Sequence, residues 1–489
     1  MRLSEVLEGV VHSRIGVPGD PEIYGIAYDS RQVKPGFLFV CISGFKTNGH
    51  LYIEDARGKG AAAILVEKEA VDCDLPIALC NDSRAALARM AGNFYQHPSQ
   101  QLRLIGVTGT NGKTTTTHLI KAILEEAGKK AGILGTLYAR VEDKSFDLGH
   151  TTPEAPDIDA FLKVCQEQQA GYVVMEVSSH ALVLDRVNAL DFNVAVFTNL
   201  TQDHLDLHET MEAYCNAKLK LFKNLETCPE NFSIINGDDE YAQAFLDQAG
   251  STAVSYGIEK EARIMAQDVH VTLKGSDFTV VYPGGTFKIQ MKLIGLFSVY
   301  NALAAIAFAL TEGIAVETIQ SALAQVDGVP GRFEQVQCGQ DFTVVVDYAH
   351  TPDGLENILK TARGILEHRL ITVFGCGGDR DRGKRPLMGE IAARYSDFTI
   401  VTSDNPRSEE PQDIINDIVP GVQKVKDSRY AIIVDRREAI RHAIHLARPG
   451  DLVVIAGKGH ETYQLVKGQV LDFDDRLVAA EFLKGKEQA

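Results

Sequence analysis

Several features are missing from this chain, and each absence removes a class of function. No apolar stretch approaches the roughly 18 residues a membrane-spanning helix needs. The nearest, NALAAIAFAL from Asn301, reads as a buried helix. Basic residues are in the minority, 49 Lys and Arg against 66 Asp and Glu. The formal net charge of −17 argues against nucleic acid or an anionic membrane surface as partner. A local basic site for a small anion remains compatible with that balance. The eight cysteines show neither a CxxC pair nor metal-finger spacing, so reduced thiols in the cytoplasm are expected. The opening MRLSEVLEGVVHSR lacks a basic segment followed by an apolar one, so no signal peptide is expected. Tandem repeats and low-complexity tracts are missing too.

What is present is a globular composition, 45% hydrophobic and 24% charged, over 489 residues. That length exceeds one core, and two to four domains are expected. Three blocks stand out. The first carries short strands (YGIAYDS, GFLFVCI, AAAILVE), a helix near Ala85 to Tyr95, and a break at His97-Pro98-Ser99-Gln100. The second alternates strands (Ile105 to Thr108, Tyr172 to Val177, Val194 to Thr198, Ser233 to Asn236) with amphipathic helices. Such alternation predicts a mainly parallel sheet covered on both faces. Residues 263–293 read as antiparallel strands flanking it. The third block, from near Phe333, has apolar strands TVVVDYAH, LITVFG, FTIVTS, YAIIVD and DLVVIAG between helical segments, again a doubly wound pattern. Ligands in such sheets sit beyond the carboxyl ends of the strands, where Asp347, Gly375, Asp404 and Gly457 fall. The expected fold is α/β in three domains: a smaller N-terminal α/β domain (1–98), a central P-loop ATPase-type domain (99–333) and a C-terminal Rossmann-like domain (334–489).

The most specific motif is GVTGTNGKTTTT, Gly106 to Thr117, directly after Leu102-Arg103-Leu104-Ile105. Gly109 and Gly112 let the backbone around Thr110 and Asn111 curl so that its N–H groups face phosphate oxygens. The following helix N-terminus adds partial positive charge, Lys113 reaches the terminal phosphates, and Thr114 or Thr115 offers a hydroxyl to Mg²⁺. Val107 stands where the common phosphate-binding loop has its first glycine. A plain strand-to-helix turn would explain the glycines but not the GKT. The motif predicts a nucleoside-triphosphate user.

Downstream, YVVMEVSSH puts Glu176 at the end of a buried strand, where it can hold magnesium or cap the next turn. TQDHLDLH clusters Asp203, His204 and Asp206, with Lys218 on the helix after it. Magnesium prefers oxygen ligands, and a lone loop histidine is usually solvated. Lys218 reads equally as a helix-surface lysine or one touching phosphate.

TGTNGKT, EVSSH, TNLTQDHLDLH…AK, YNALAA, GRFE, DYAHTPD and GCGGDRDRGKRP together resemble the Mur ligase family, the ATP-dependent amide-bond-forming enzymes of peptidoglycan precursor synthesis. The resemblance spans all three blocks in order. The N-terminal DSR, DNPRSEEP at Asp404 and AGKGHE at Ala456 resemble the branch that adds the third residue of the stem peptide. It implies Lys113, Lys218, His204 and Glu176 as catalytic residues, with Lys218 carbamylated by CO₂. An unmodified ammonium would repel magnesium, so the metal role requires that anionic form. It implies two Mg²⁺ held among Thr114, Thr115, Glu176, His204 and the Lys218 carbamate. Asn301 would contact adenine, and Arg332 and Asp347 the ribose and phosphates of ATP, with His350 nearby.

For the UDP-N-acetylmuramoyl-dipeptide, the resemblance implies Ser30 and the Phe45-Lys46-Thr47 loop at the UDP, and Thr151, Thr152, Ser178 and Arg186 at the muramoyl-dipeptide. A guanidinium suits a substrate carrying diphosphate and carboxylates. His150 and Leu184 depart from the family's common asparagine and glutamine. For the incoming amino acid it implies Arg380, Asp404, Asn405, Pro406, Arg407, Gly457 and Glu461. Arg407 discriminates: it can fork onto the distal carboxylate of meso-diaminopimelate and would repel the bare ammonium of L-lysine. GCGGDRDRGKRP lacks the GxGxxG spacing of a dinucleotide loop. Small-molecule substrates alone, no nucleic acid, no membrane span, a monomer and a cytoplasmic location are expected. The competing readings are a lysine-adding ligase, a folylpolyglutamate synthetase-like ligase, or a nucleotide-dependent switch that forms no bond.

Overall fold

In the computed structural model, all residues are described except 45–46, 68–72, 224, 226–227, 229, 367 and 487–489. Three large sheets follow one another along the chain, matching the expected α/β class. The first has five strands in the order His12–Gly16, Pro76–Cys80, Ala63–Val66, Phe37–Val40, Gly25–Ala27. All but the first pair in parallel. At the His97-Pro98 break, Gln96 and His97 take left-handed φ of 64° and 49°. Pro98 then opens a short 3₁₀ turn, Pro98–Gln101, with its fixed φ in place.

The second sheet has eleven strands. Its parallel middle runs Ala253–Gly257, Phe232–Asn236, Val194–Phe197, Arg103–Thr108, Tyr172–Glu176, Ala131–Leu134. These strands read as unbroken apolar runs because helices cover both faces. Lys113–Glu126, Leu296–Thr311 and Val316–Gln325 pack on one side, and Ala155–Glu167, Met211–Leu219 and Ala242–Ala249 on the other. Leu296–Thr311 contains NALAAIAFAL and is buried almost all round, which is why it lacks a polar face. Residues 263–293 flank the parallel strands as expected and are hydrogen-bonded into the sheet's edge. Ile264–Thr272, Gly275–Tyr282 and Gly285–Met291 extend the same sheet, the first joining in parallel and the others folding back antiparallel. At the opposite edge Ala139–Val141 and Lys144–Phe146 add an antiparallel hairpin that the sequence pattern did not announce.

The third sheet has six strands in the order Glu334–Gln335, Thr343–Asp347, Leu452–Ala456, Leu370–Phe374, Phe398–Val401, Tyr430–Ile432, parallel except for the first. Helices Pro352–Ile365, Lys384–Tyr395 and Pro411–Lys424 cover one face; Arg436–Leu446 and Asp475–Lys486 cover the other. A two-stranded hairpin, Tyr463–Val466 with Gln469–Asp472, lies across the loop after Phe398–Val401. Among the described residues, no helix is long and apolar enough to cross a membrane.

Candidate active site

The strand Arg103–Thr108 ends beneath a cleft of about 640 Å³ lined from both the second and third sheets. Gly112 holds φ +88°, and a Cβ there would lie 2.3 Å from Asn301 Oδ1, so only glycine fits between loop and helix. The helix Lys113–Glu126 starts at once, aiming its unpaired N–H groups into the cleft. The turn is anchored from the neighbouring strand end: Asn111 N donates to Asn199 Oδ1 at 2.9 Å, and Thr198 Oγ1 donates to Asn111 O at 2.6 Å. Lys113 Nζ donates to Gly109 O and Thr110 O, each at 2.9 Å. Burial holds its pKa below the ordinary lysine value.

Glu176 is 1% exposed at the end of Tyr172–Glu176. Its carboxylate accepts from Thr114 Oγ1 (3.0 Å), Thr136 N (2.8 Å) and Thr136 Oγ1 (3.1 Å). Arg332 Nη2 donates to Thr114 Oγ1 at 2.9 Å and the guanidinium lies 4.9 Å from the Tyr348 ring. Of the two candidate hydroxyls, Thr114 is therefore the one bonded to the acid, while Thr115 lines the cleft. Asp347 accepts from Phe333 N (2.6 Å) and Ala349 N (2.7 Å), and burial raises its pKa. Asn301, His350 and His204 line the same space. His204 faces Asp203 Oδ2 at 3.3 Å, and burial pushes its pKa down to about 4, leaving the ring neutral near pH 7.

Lys218 is not on the helix surface. It is 1% exposed, donates to Gly109 O at 2.8 Å from beneath the loop, and lies 4.6 Å from the Tyr214 ring. Burial first, and the nearby Lys113 charge second, lower its pKa well below the usual value. A depressed pKa supplies the neutral amine that reaction with CO₂ requires. Among the described residues no three His, Cys, Asp or Glu side chains converge into a metal cage. The donor set here is instead a hydroxyl and a buried carboxylate with a neutral imidazole nearby. That sparse oxygen set fits magnesium, which keeps several of its waters.

Thr151, Thr152, Ser178 and Arg186 come together beside Glu176. Thr151 Oγ1 meets Thr136 Oγ1 at 3.0 Å, and Thr152 Oγ1 donates to Glu176 O at 2.8 Å. Ser178 caps its helix by accepting from Ala181 N, and Arg186 Nη1 donates to Thr152 O at 2.8 Å. Arg186 also pairs with Glu154 at 2.9 Å while its buried Nε has no partner among the described residues. Ser30 and Thr47 stand apart in the first sheet's loops: Ser30 O accepts from Lys59 Nζ at 3.1 Å, and Thr47 Oγ1 donates to Tyr52 OH at 3.1 Å. Phe45 and Lys46 lie outside the described residues.

The amino-acid candidates form a second cluster at the carboxyl edge of the third sheet. Arg407 Nη1 donates to Gly378 O at 2.8 Å, and both Arg407 and Arg380 stand beside Gly377. Gly378 N donates to Asn405 O at 2.9 Å, locking the loop through Pro406 against GCGGDR. Asp404 is 8% exposed and its Oδ2 has no hydrogen bond among the described residues. Gly457, at φ +120°, leaves room for that oxygen, which a Cβ would meet at 2.5 Å. Asn405 Nδ2 donates to Glu461 Oε2 at 2.8 Å. Motif reading missed several residues here and in the cleft: Thr136, Asp353, Arg436 and Lys458. Asp353 ends the quoted DYAHTPD and accepts from P-loop Asn111 Nδ2 at 2.7 Å and from Thr201 Oγ1 at 3.1 Å. Thr136 carries no local pattern, and only its tertiary contact reveals it.

Three family descriptions match along the chain: the Mur ligase family catalytic domain over 22–95, the Mur ligase middle domain over 107–309, and the Mur ligase glutamate ligase domain over 331–459. The chain belongs to the Mur ligase family. A relative from Syntrophomonas wolfei subsp. wolfei, named UDP-N-acetylmuramoyl-L-alanyl-D-glutamate--2,6-diaminopimelate ligase, is 61% identical over 99% of this chain and 100% of its own length. A relative of the same name from Geobacillus thermodenitrificans is 48% identical over 99% of each chain. Among solved structures, one bearing that enzyme's name aligns with TM-score 0.67 and 34% identity over 96% of both chains. Mycobacterium tuberculosis folylpolyglutamate synthase, complexed with ADP and AMPPCP, aligns with TM-score 0.65 over 82% of this chain and 95% of its own. At 17% identity that likeness is one of fold alone. The Mur ligase fold thus accounts for three sheets with a cleft between the second and third.

Proposed function

We propose that this Mur ligase joins an amino group of meso-diaminopimelate to the D-glutamate carboxylate of UDP-N-acetylmuramoyl-L-alanyl-D-glutamate, using ATP and releasing ADP and phosphate. The observation that carries the reading is the 61% identity, end to end, with a relative so named. Residues 1–98 bind the UDP end through Ser30, Phe45, Lys46 and Thr47; residues 99–333 bind ATP; residues 334–489 bind the amino acid. The reaction runs in the cytoplasm.

The substrate carboxylate attacks the γ-phosphorus, giving an acyl phosphate and ADP; the amine then attacks the acyl carbon and phosphate leaves. The glycine turn at Gly109–Gly112 and Lys113 hold the phosphates and spread the charge of the transferring group. Asn301 holds adenine, and Arg332 and Asp347 hold the ribose and phosphates. Thr114 and Glu176 would hold one magnesium, and Glu176, His204 and carbamylated Lys218 a second; bound there, they neutralise charge on the phosphoryl oxygens. Thr151, Thr152, Ser178 and Arg186 orient the muramoyl-dipeptide. Arg407, with Arg380, Asp404, Asn405, Pro406, Gly457 and Glu461, orients diaminopimelate.

The lysine-adding reading meets Arg407, a cation where lysine brings only another cation. The test is ADP release from the purified enzyme with the UDP-sugar dipeptide, with and without each amino acid. Release dependent on diaminopimelate is expected. In Arg407→Ala, the KM for diaminopimelate should rise more than tenfold with that for ATP little changed. Release with lysine alone would transfer the specificity to the lysine branch, and release independent of any amine would mean a switch.

A further inference from the structure

Resting on that reading, we propose that Lys458 is a specificity-determining residue that keeps Glu461 from serving as a free anionic socket for a lone ammonium. Lys458 is 0% exposed, and its ammonium meets Glu461, Asn405 and Tyr463. Nζ donates to Glu461 Oε2 at 2.9 Å and to Asn405 Oδ1 at 3.1 Å, and lies 5.6 Å from the Tyr463 ring. Asn405 Nδ2 donates to the same Glu461 oxygen at 2.8 Å, closing a triangle. Leu465 N donates to Asn405 Oδ1 at 2.9 Å, which ties the triangle to the hairpin over the DNPR loop.

The consequence is electrostatic. Glu461 is the acid that would receive the distal ammonium of the substrate, yet one of its oxygens is already held by a buried cation. Arg407 lies across the loop, and Asp404, the other acid, stands 4.0 Å from buried Arg436. Arg436 is itself held by buried Asp475, through Nε at 2.8 Å and Nη2 at 2.7 Å, so the pocket balances Glu461 and Asp404 against Lys458 and Arg407. Such a pocket suits a distal group that is itself neutral overall, an ammonium together with a carboxylate. The second oxygen of Glu461 takes the ammonium and Arg407 takes the carboxylate. The ε-ammonium of L-lysine brings a net charge that nothing here balances. Neutralising Lys458 frees one negative charge at Glu461 and shifts the balance toward lysine.

The test compares wild type, Lys458→Gln, Lys458→Arg and the double variant Lys458→Gln/Glu461→Gln, measuring kcat/KM for diaminopimelate and for L-lysine, KM for ATP, and Tm. Lys458→Gln should lower the preference for diaminopimelate over lysine by about tenfold, the weight of one local charge contact. Its KM for ATP should stay put. Lys458→Arg should keep the wild-type preference, and the double variant should lose the gain for lysine. An unchanged preference in Lys458→Gln overturns the proposal. So does parallel weakening for both amines and ATP, or a Gln variant that does not fold, since either makes the lysine a structural strut. Should the wild type use neither amine, the parent reading fails instead.

Discussion

At the residue scale, the chemistry concentrates in groups whose ordinary behaviour the fold has altered. Lys113 and Lys218 both donate to Gly109 O, at 2.9 and 2.8 Å, so two side chains that are normally cationic converge on one carbonyl. Burial, and then that crowding, lower the Lys218 pKa, which favours the neutral amine that the proposed carbamylation needs. Lys218→Ala should reduce turnover by at least about 100-fold. Added short-chain carboxylates, placing an anion in the vacated space, should restore part of it. Steady-state rates with and without propionate measure this, and full activity in the unsupplemented variant would remove the carbamate from the account. Glu176 and Asp347 were legible as strand-end acids and the phosphate turn by its GKT, whereas His204, by its residues alone a solvated loop histidine, was named only through the family resemblance. Thr136 was not legible, because its partner lies 40 positions away, and Lys458, though close to Glu461 in the chain, is tied into the pocket by Asn405, 53 positions away.

At the element scale, strand ends and helix starts do most of the positioning, and these were the parts the sequence showed best. Apolar runs ended where the strands end, and the site residues fall just beyond them. Edge strands were harder: the hairpin Ala139–Val141/Lys144–Phe146 is too short and too mixed in polarity to stand out. One helix contact carries its own consequence. Ala155–Glu167 packs on Ser83–Tyr95, linking the second sheet's domain to the first, with Ala88, Ala91 and Ala155 between them. Asp159 of that helix is 1% exposed, and neither of its oxygens has a partner among the described residues. Burial raises its pKa from 3.8 to about 7. The folded chain thus holds this proton up to about pH 7, whereas the unfolded chain releases it near 3.8. Stability is therefore lost as pH rises between those values, on the order of 4 kcal/mol in total. Asp159→Asn should gain Tm relative to wild type as pH is raised from 5 to 8. A gain of equal size at both values would mean that the carboxyl finds a partner in solution.

At the scale of the whole molecule, the residues assigned to the proposed reaction lie on different sheets, and that proposal requires the cleft between the second and third to bring the reactants together. Asp353 already bridges it, accepting from Asn111 Nδ2 of the P-loop and from Thr201 Oγ1, while Arg332, just ahead of the third sheet, binds Thr114. The three-block division could be seen in the alternation of strands and helices. The way the blocks face one another could not, because it depends on single long-range bonds such as that of Tyr28 OH to Asp157 Oδ2, 129 positions apart. The central claim concerns what the cleft does with ATP, namely that a substrate carboxylate is phosphorylated before the amine captures it. The most direct measurement uses UDP-sugar dipeptide whose terminal D-glutamate carboxylate carries ¹⁸O, with mass analysis of the released phosphate. Transfer of one ¹⁸O to each phosphate, with none in ADP, is the predicted result. Unlabelled phosphate, or label in AMP, would contradict it.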